Sequence, residues 1–300
     1  MIIKSIAPCR ISLFGGGTDL PEFSSRYGGF CLNMAINIRQ EFKLNTDKEN
    51  DFPNGFIATI ANHSGLVGQI EQSFDGIITG GIGSSAAAAV ALVGMANKYR
   101  NLGMGLGEIA EMAWKVEVDK LGLYGGKQDQ YCAAFGGING MEFRENRVDV
   151  VPMSCEFADK LRPSLVLFHL GFNRKDPKIQ EGFKKLSQSQ IFYLSEIKKL
   201  VIEVAPHIGD GDIEAVGKLL HKSWDLKKKS NKGVGNEVFE AVYKKAQNLG
   251  AWGGKICGAG GGGYCIFMID PNKRQGLIDN LGIKWVDFDI SWDGLDTRIL

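Results

Sequence analysis

The stretch that most constrains this chain runs from Gly80 to Val90, Gly-Gly-Ile-Gly-Ser-Ser-Ala-Ala-Ala-Ala-Val. Alanine has the highest intrinsic helix propensity, so the run from Ala86 predicts a helix reaching about Tyr99. Ser84 or Ser85 is predicted to cap it. Gly80, Gly81 and Gly83 leave backbone N–H groups unshielded just where the helix dipole is positive, which is the make-up of an anion site, most often for phosphate. The structural alternative is a glycine loop that merely caps a helix. A lone glycine loop does not decide between the two.

Composition narrows the field. The 300 residues allow one large or two medium domains, and a net charge of +1 gives no bulk reason to expect a nucleic-acid or membrane partner. The start, Met-Ile-Ile-Lys-Ser-Ile-Ala-Pro, lacks a signal-peptide core, and no apolar run approaches the ~18 residues of a membrane span. A cytoplasmic protein is expected, and the sequence sets no oligomeric state. Six cysteines without a C-x-x-C pair and four scattered histidines argue against a zinc site or a disulfide framework, and for reduced, buried thiols. Glycine is the outlier, with 40 residues gathered in a few runs.

Along the chain, residues 2–14 alternate as a strand until Gly15-Gly16-Gly17-Thr18-Asp19 breaks it. Asp19 could accept hydrogen bonds from ligand hydroxyls or close an Asx-turn or helix cap. Arg10 is unusual inside an apolar strand, where a charge must be paired or face a cleft. Strands are predicted over 30–46 and 56–60, with a turn at 47–55. A helix is predicted over 107–121, with Ile109, Ala110, Met112, Ala113, Trp114, Val116 and Leu121 on one arc. Glu117 falls inside that apolar arc, so it needs a cation, a metal or a hydrogen-bond donor. A plain salt bridge would also satisfy it. Asp129 sits in Gly125-Gly-Lys-Gln-Asp-Gln-Tyr131, where Lys127 would favour its ionised form.

Strands at 140–143 and 147–152 end a first half near Cys155. A buried strand at 165–170 opens the second half, helices dominate 178–249, and Trp224, Lys227 and Lys228 fall on one helix's last turns. Gly258-Ala-Gly-Gly-Gly-Gly263 then leads into a strand over 264–269. It contains G-x-G-x-x-G, but a dinucleotide site needs a helix after the glycines, and the P-loop pattern G-x-x-x-x-G-K-[ST] is absent. A dinucleotide-binding oxidoreductase through Gly81-x-Gly83-x-x-Ala86 is weakened by the lack of an acidic residue at the distance a ribose would need.

Three glycine segments in this order resemble the motifs of the GHMP kinases. Ala7-Pro-Cys-Arg10-Ile-Ser12-Leu-Phe-Gly15 looks like their N-terminal motif, Gly81-Ile-Gly-Ser-Ser-Ala-Ala87 like their phosphate loop, and Lys255 to Gly263 like their C-terminal motif. Phe14-Gly-Gly-Gly-Thr-Asp19, Gly125 to Tyr131, Trp224-x-x-Lys227 and Gly250 to Lys255 look like the branch acting on heptose 7-phosphate. Ile77-Ile-Thr79 departs from the prolines usual before the phosphate loop. The loop after Gly171 keeps Arg174 without the usual serines, and the 45–78 region is short.

The resemblance implies an α+β fold of two domains: ribosomal-S5-like over 1–155, binding ATP, and ferredoxin-like over 156–300. It implies that Gly81, Gly83, Ser84, Ser85 and Ala86 wrap the triphosphate and that Ser85 and Glu117 hold Mg²⁺. By the same resemblance Asp129 is the base, with Arg10 and Lys127 beside it. Asp19, Gly16, Gly17, Gly260 and Gly261 would contact the sugar, and Arg174, Lys227 and Lys228 would clamp its phosphate unless they are only surface cations. The implied reaction converts heptose 7-phosphate to the 1,7-bisphosphate. The alternatives are another sugar, such as fucose or galactose, and a non-catalytic sensor of sugar and ATP.

Overall fold

The computed structural model describes residues 1–77, 80–171, 182–231 and 233–300. Strand β1 (Ile2–Phe14) pairs with the long β2 (Gly29–Asn45), and every pairing in this first sheet is antiparallel. The two halves of β2 take different neighbours. Its first half pairs with β4 (Ile138–Arg144), which pairs in turn with β5 (Arg147–Pro152). Its second half pairs with β3 (Gln69–Phe74). The register between β1 and β2 shifts at Pro8/Cys9, where proline interrupts the ladder, and again before Phe14.

The second sheet runs β7 (Ala251–Ile256), β8 (Tyr264–Ile269), β6 (Leu165–His169), β9 (Lys284–Val286). Its central strands β6 and β8 are buried on both faces and read as continuous apolar runs. Leu165, Leu167, Ile266 and Met268 join the main core, whereas Val166, Phe168, Cys265 and Phe267 join a second cluster around Trp224 and Phe239. The chain then returns to the first sheet, where β10 (Asp296–Ile299) pairs with β1. A cut between residues 155 and 156 therefore leaves one strand of the first sheet on the far side.

Helices fill the space between and around the sheets: α1 (Pro21–Tyr27), α2 (Gly55–Ser64), α3 (Ser84–Arg100), α4 (Leu106–Asp119) and α5 (Gln128–Phe135) in the first half, then α6 (Cys155–Leu161), α7 (Gln188–Asp210), α8 (Ile213–Ser230), α9 (Glu237–Asn248) and α10 (Arg274–Asn280). All residues of α3 from Ala86 to Ala96 are buried. A helix covered on every side carries no amphipathic stripe, and its alanines let neighbours close in. Among the described residues no helix is long and apolar enough to cross a membrane.

Three expectations change. Residues 56–60 form part of α2, not a strand. The Asn54 side chain accepts from the Ile57 N–H, Gly65 ends the helix in the left-handed region, and Ile57, Ile60, Ala61 and Ser64 supply a helical burial period. Strand β7 is missing from the sequence reading because Gly253 and Gly254 dilute its pattern. A Cβ on Gly253 would lie 2.1 Å from the Gly217 carbonyl oxygen, so the glycine admits α8 onto the sheet. Five of the six cysteines are buried thiols, but Cys155 is exposed in the first turn of α6.

The two glycine loops meet backbone to backbone. A Cβ on Gly263 would stand 1.9 Å from the Gly80 carbonyl oxygen, and φ there is +85°. Gly263→Ala is expected to cost more than ~2 kcal/mol by overpacking and strain. Gly276→Ala in α10, where a Cβ meets nothing within 4 Å, should be neutral or stabilising. Urea titration of both variants checks this, and equal midpoints would contradict the loop contact.

Candidate active site

Arg10 projects from β1 into the junction between the sheets. Its Nε and Nη2 each donate to one oxygen of Asp129 at 2.6 Å, and its Nη1 donates to the Gly81 carbonyl at 2.6 Å. Its backbone N–H donates to the Ile82 carbonyl at 2.9 Å. Burial works against the charge of Arg10, but the Asp129 carboxylate outweighs it and the guanidinium pKa stands above its ordinary value. A forked pair of this kind fixes the carboxylate in plane and position. Arg10 thus lies as its strand position demanded, paired and facing a cleft.

The cleft beside this pair is a cavity of about 270 Å³. Ser85 and Ala86 bring the N-terminal turn of α3 into its wall, and Glu117 enters from α4. The helix begins differently from the expectation, with Gly83 rather than Ser84 or Ser85 at the N-cap. Gly83 has φ +69°, and a Cβ there would stand 3.3 Å from Asp129 Oδ2, so glycine lets the helix start against the Arg10–Asp129 pair. Freed from capping, the Ser85 hydroxyl turns to Glu117.

Glu117 is 4% exposed, and its Oε2 accepts from Gln130 Nε2 at 2.6 Å. Burial raises its pKa to about 7, with Asp129 adding to the rise and the Gln130 and Ser85 hydrogen bonds opposing it. Both partners are neutral, so among the described residues the carboxylate has no cation of its own. Among the described residues no cluster of three or more histidine, cysteine or carboxylate groups could hold a metal unaided. The donor set of one carboxylate and one hydroxyl fits a hard cation such as Mg²⁺ that takes its remaining oxygens from a polyphosphate.

Asp19 is also buried. It accepts from the Gly17 N–H at 3.1 Å, from the Gln128 N–H at 3.2 Å and from Gln128 Nε2 at 2.9 Å. Burial and the charge of Asp129 raise its pKa. Gly16, Gly17, Lys227, Gly258 and Ala259 complete this end of the cavity, where Lys227 Nζ donates to the Gly258 carbonyl at 2.6 Å. Burial first, then Arg10, lowers the Lys227 pKa to about 8.

Several expected residues sit elsewhere. Lys127 turns away from Asp129 to bind both oxygens of Glu111 at 2.8 and 2.9 Å, with its ammonium 4.7 Å from the Trp114 ring centre. Placed at the N-cap of α5, it points back along α4. Lys228 pairs with Asp225 and Glu240, both at 3.2 Å, on the outer side of α8, one residue and about 100° from Lys227. Gly260 and Gly261 are buried behind the loop, while Gly258 and Ala259 reach the cavity in their place. Arg174 lies outside the described residues, as do Ile78 and Thr79.

The sequence reading also passed over residues that the fold brings in. Trp114, Val118, Leu123, Tyr124 and Phe183 form an apolar wall opposite the charged groups. Gln128 and Gln130 flank Asp129 and serve the other two carboxylates, Asp19 and Glu117. The alternation Gln-Asp-Gln was the signal, since three polar residues opening a buried helix each need a partner. Lys255 is buried, with Nζ donating to the Ser12 carbonyl at 2.7 Å.

Residues 52–137 match the GHMP kinases N terminal domain, and residues 197–287 match the GHMP kinases C terminal domain. A curated relative, the D-glycero-alpha-D-manno-heptose 7-phosphate kinase of Campylobacter jejuni, is 30% identical over 93% of this chain and 93% of its own. The galactokinase of Pyrococcus furiosus is 25% identical over 91% and 90%. Among solved structures, a D-glycero-D-manno-heptose 1-phosphate kinase from Bacteroides thetaiotaomicron superposes with a TM-score of 0.80 at 24% identity, covering 99% of both chains. With both halves of the chain matched in order and a relative at this identity aligned almost end to end, the chain belongs to the GHMP kinases.

Proposed function

We propose that this kinase transfers the γ-phosphoryl group of ATP to the anomeric hydroxyl of D-glycero-D-manno-heptose 7-phosphate, giving the 1,7-bisphosphate. The observation that carries the reading is the Arg10–Asp129 fork, which opens on the same cavity as Ser85 and Glu117. The full-length match to a heptose 7-phosphate kinase supports the choice of sugar.

The polyphosphate of ATP sits on the N-terminus of α3, where the Gly80–Gly83 loop and the helix dipole favour negative charge. Ser85 and Glu117 are the groups that would hold Mg²⁺, which when bound neutralises charge on the phosphates. Asp129, oriented by Arg10, takes the proton of the anomeric hydroxyl as that oxygen attacks phosphorus. Arg10 also balances the negative charge that builds up beside it. Phosphoryl transfer asks the protein mainly for such positioning and charge balance. Asp19, backed by Gln128, accepts hydrogen bonds from ring hydroxyls, and Lys227 meets the phosphate of the acceptor. The apolar wall excludes water that would compete with the sugar.

A second reading, a free hexose as acceptor, draws on one observation. Of the three proposed clamp residues, Lys227 is the one that lines the cavity among the described residues. ADP release with ATP and Mg²⁺ against a panel of free and phosphorylated sugars separates the two. Turnover confined to the heptose phosphate is expected, and turnover confined to a free hexose would replace it with the second reading.

Asp129→Asn is expected to lower kcat by ~10²–10⁴, the usual worth of a general base, with KM for ATP nearly unchanged. A variant within threefold of wild type would remove Asp129 from that role. For Glu117 the folded pKa of about 7 lies above the unfolded value near 4.3. Its contribution therefore favours the ligand-free fold below about pH 4 and is lost as pH rises through 7. Glu117→Gln should stabilise the ligand-free protein at pH 8 by up to roughly 3 kcal/mol, while raising the Mg²⁺ needed for half-maximal rate. An unchanged Mg²⁺ titration would count against the metal role.

A further inference from the structure

The end of the cavity near Gly16 holds polar groups without a task. Ser12 Oγ is buried in a residue 3% exposed, lines the cavity and has no hydrogen-bond partner among the described residues. A Cβ built on Gly16 would stand 3.2 Å from that oxygen, 3.7 Å from Lys227 Nζ and 3.8 Å from Gln128 Nε2. Gly16 thus keeps open a space into which a hydroxyl and an ammonium both reach. Lys227 uses one of its three N–H donors on the Gly258 carbonyl, leaving two.

Behind this space lies a second buried lysine. Lys255 is 3% exposed, and its Nζ donates to the backbone carbonyl of Ser12 itself at 2.7 Å. Neither lysine has a carboxylate ion pair among the described residues. Arg10 and Asp129 cancel one another. Asp19 is then left opposing two lysines, so this end of the cleft carries room for one more negative group. A buried charge without a counterion is costly, and an anionic ligand relieves the cost.

We propose that Ser12 and Lys227, both reaching the space at Gly16, form the subsite for the phosphate monoester carried by the acceptor sugar, and that Lys255 is its positioning residue. This rests on the reading of the acceptor as a phosphorylated sugar. Lys255 holds the main chain of Ser12 in place and adds positive charge behind the site. The groups facing the two lysines are Arg10, Asp19, Cys31 and Cys257. Burial first, and then neighbouring positive charge, lowers Lys227 to about 8 and Lys255 to about 7. A bound phosphate raises both, so binding near pH 8 takes up protons.

The test compares KM for D-glycero-D-manno-heptose 7-phosphate with KM for the unphosphorylated heptose, in the wild type, Gly16→Ala and Ser12→Ala. Gly16 does not occupy the left-handed region, so the added methyl fills the space without backbone strain. The wild type is expected to prefer the phosphate. Both variants should raise its KM by about 10- to 100-fold, the worth of a hydrogen bond to a charged group, while KM for ATP stays within twofold. If both variants keep the preference, the subsite is wrong and the phosphosugar reading stands. If the wild type has no preference, that reading falls and the subsite with it. For Lys255, calorimetry at pH 8 in two buffers of different ionisation enthalpy counts the protons taken up on binding. Lys255→Met should lower that number, and an unchanged number would reduce Lys255 to packing.

Discussion

Arg10 joins three segments that lie far apart in the chain: β1, the Gly80–Gly83 loop and the first turn of α5. A guanidinium removed from water is stable only with its donors matched, and here both sides of the fork meet Asp129 while a third donor meets Gly81. Any drift of the loop or of α5 would strand a buried charge. The same requirement that makes Arg10 costly to bury therefore sets the spacing between the Gly80–Gly83 loop and Asp129. Folding and site geometry are enforced by one side chain.

Around that junction, close backbone contact takes the place of side-chain packing. Gly81 and Gly263 press the two glycine loops together, and a Cβ on Gly258 would lie 2.8 Å from the Gly81 Cα. Side chains in these positions would push the second half of the chain off the N-terminus of α3. The effect is to leave the first turn of α3 rigid on one side and open on the cavity side. The hydroxyl of Tyr264, on the strand that follows the second loop, adds a hydrogen bond from the Ile77 N–H at 3.0 Å. The loop is thus tied on one approach by Tyr264 of the second sheet and on the other by the Arg10 N–H of the first, which donates to the Ile82 carbonyl.

Much of this was legible in the sequence because buried charges announce themselves by pattern. From the cost of burying a charge unpaired, Arg10 in an apolar strand was expected to be paired or to face a cleft, and Glu117 on an apolar arc to need a cation, a metal or a hydrogen-bond donor. What spacing along the chain could not supply was direction. Lys127 and Lys228 stand next to cavity-lining residues in sequence, yet helix geometry turns each to another face, where Glu111 in one case and Asp225 with Glu240 in the other are better partners. Lys255 and Ser12 stood inside motifs without a role of their own because their meaning arises from a contact spanning 243 positions. Strand β7 and helix α2 were misread for local reasons, glycine dilution in one and a short apolar run in the other. The final strand, β10, pairs with the first through a register that no local pattern encodes.

The cleft is polarised in a way that makes the ligand-free protein the less satisfied state. At one end Glu117 has neutral partners and lacks a cation; at the other two buried lysines lean on carbonyl oxygens. Between them Arg10 and Asp129 form the one matched pair, so the mismatches are kept apart and do not cancel internally. A cation at the first end and an anion at the second would relieve both, which is the charge pattern that the proposed metal-bound nucleotide and phosphorylated sugar would bring. The opposing wall of Trp114, Val118, Leu123 and Tyr124 lowers the local dielectric and makes each mismatch larger. The forked pair between the two ends thus keeps their opposite charges apart, so that each end remains available to a group of opposite sign.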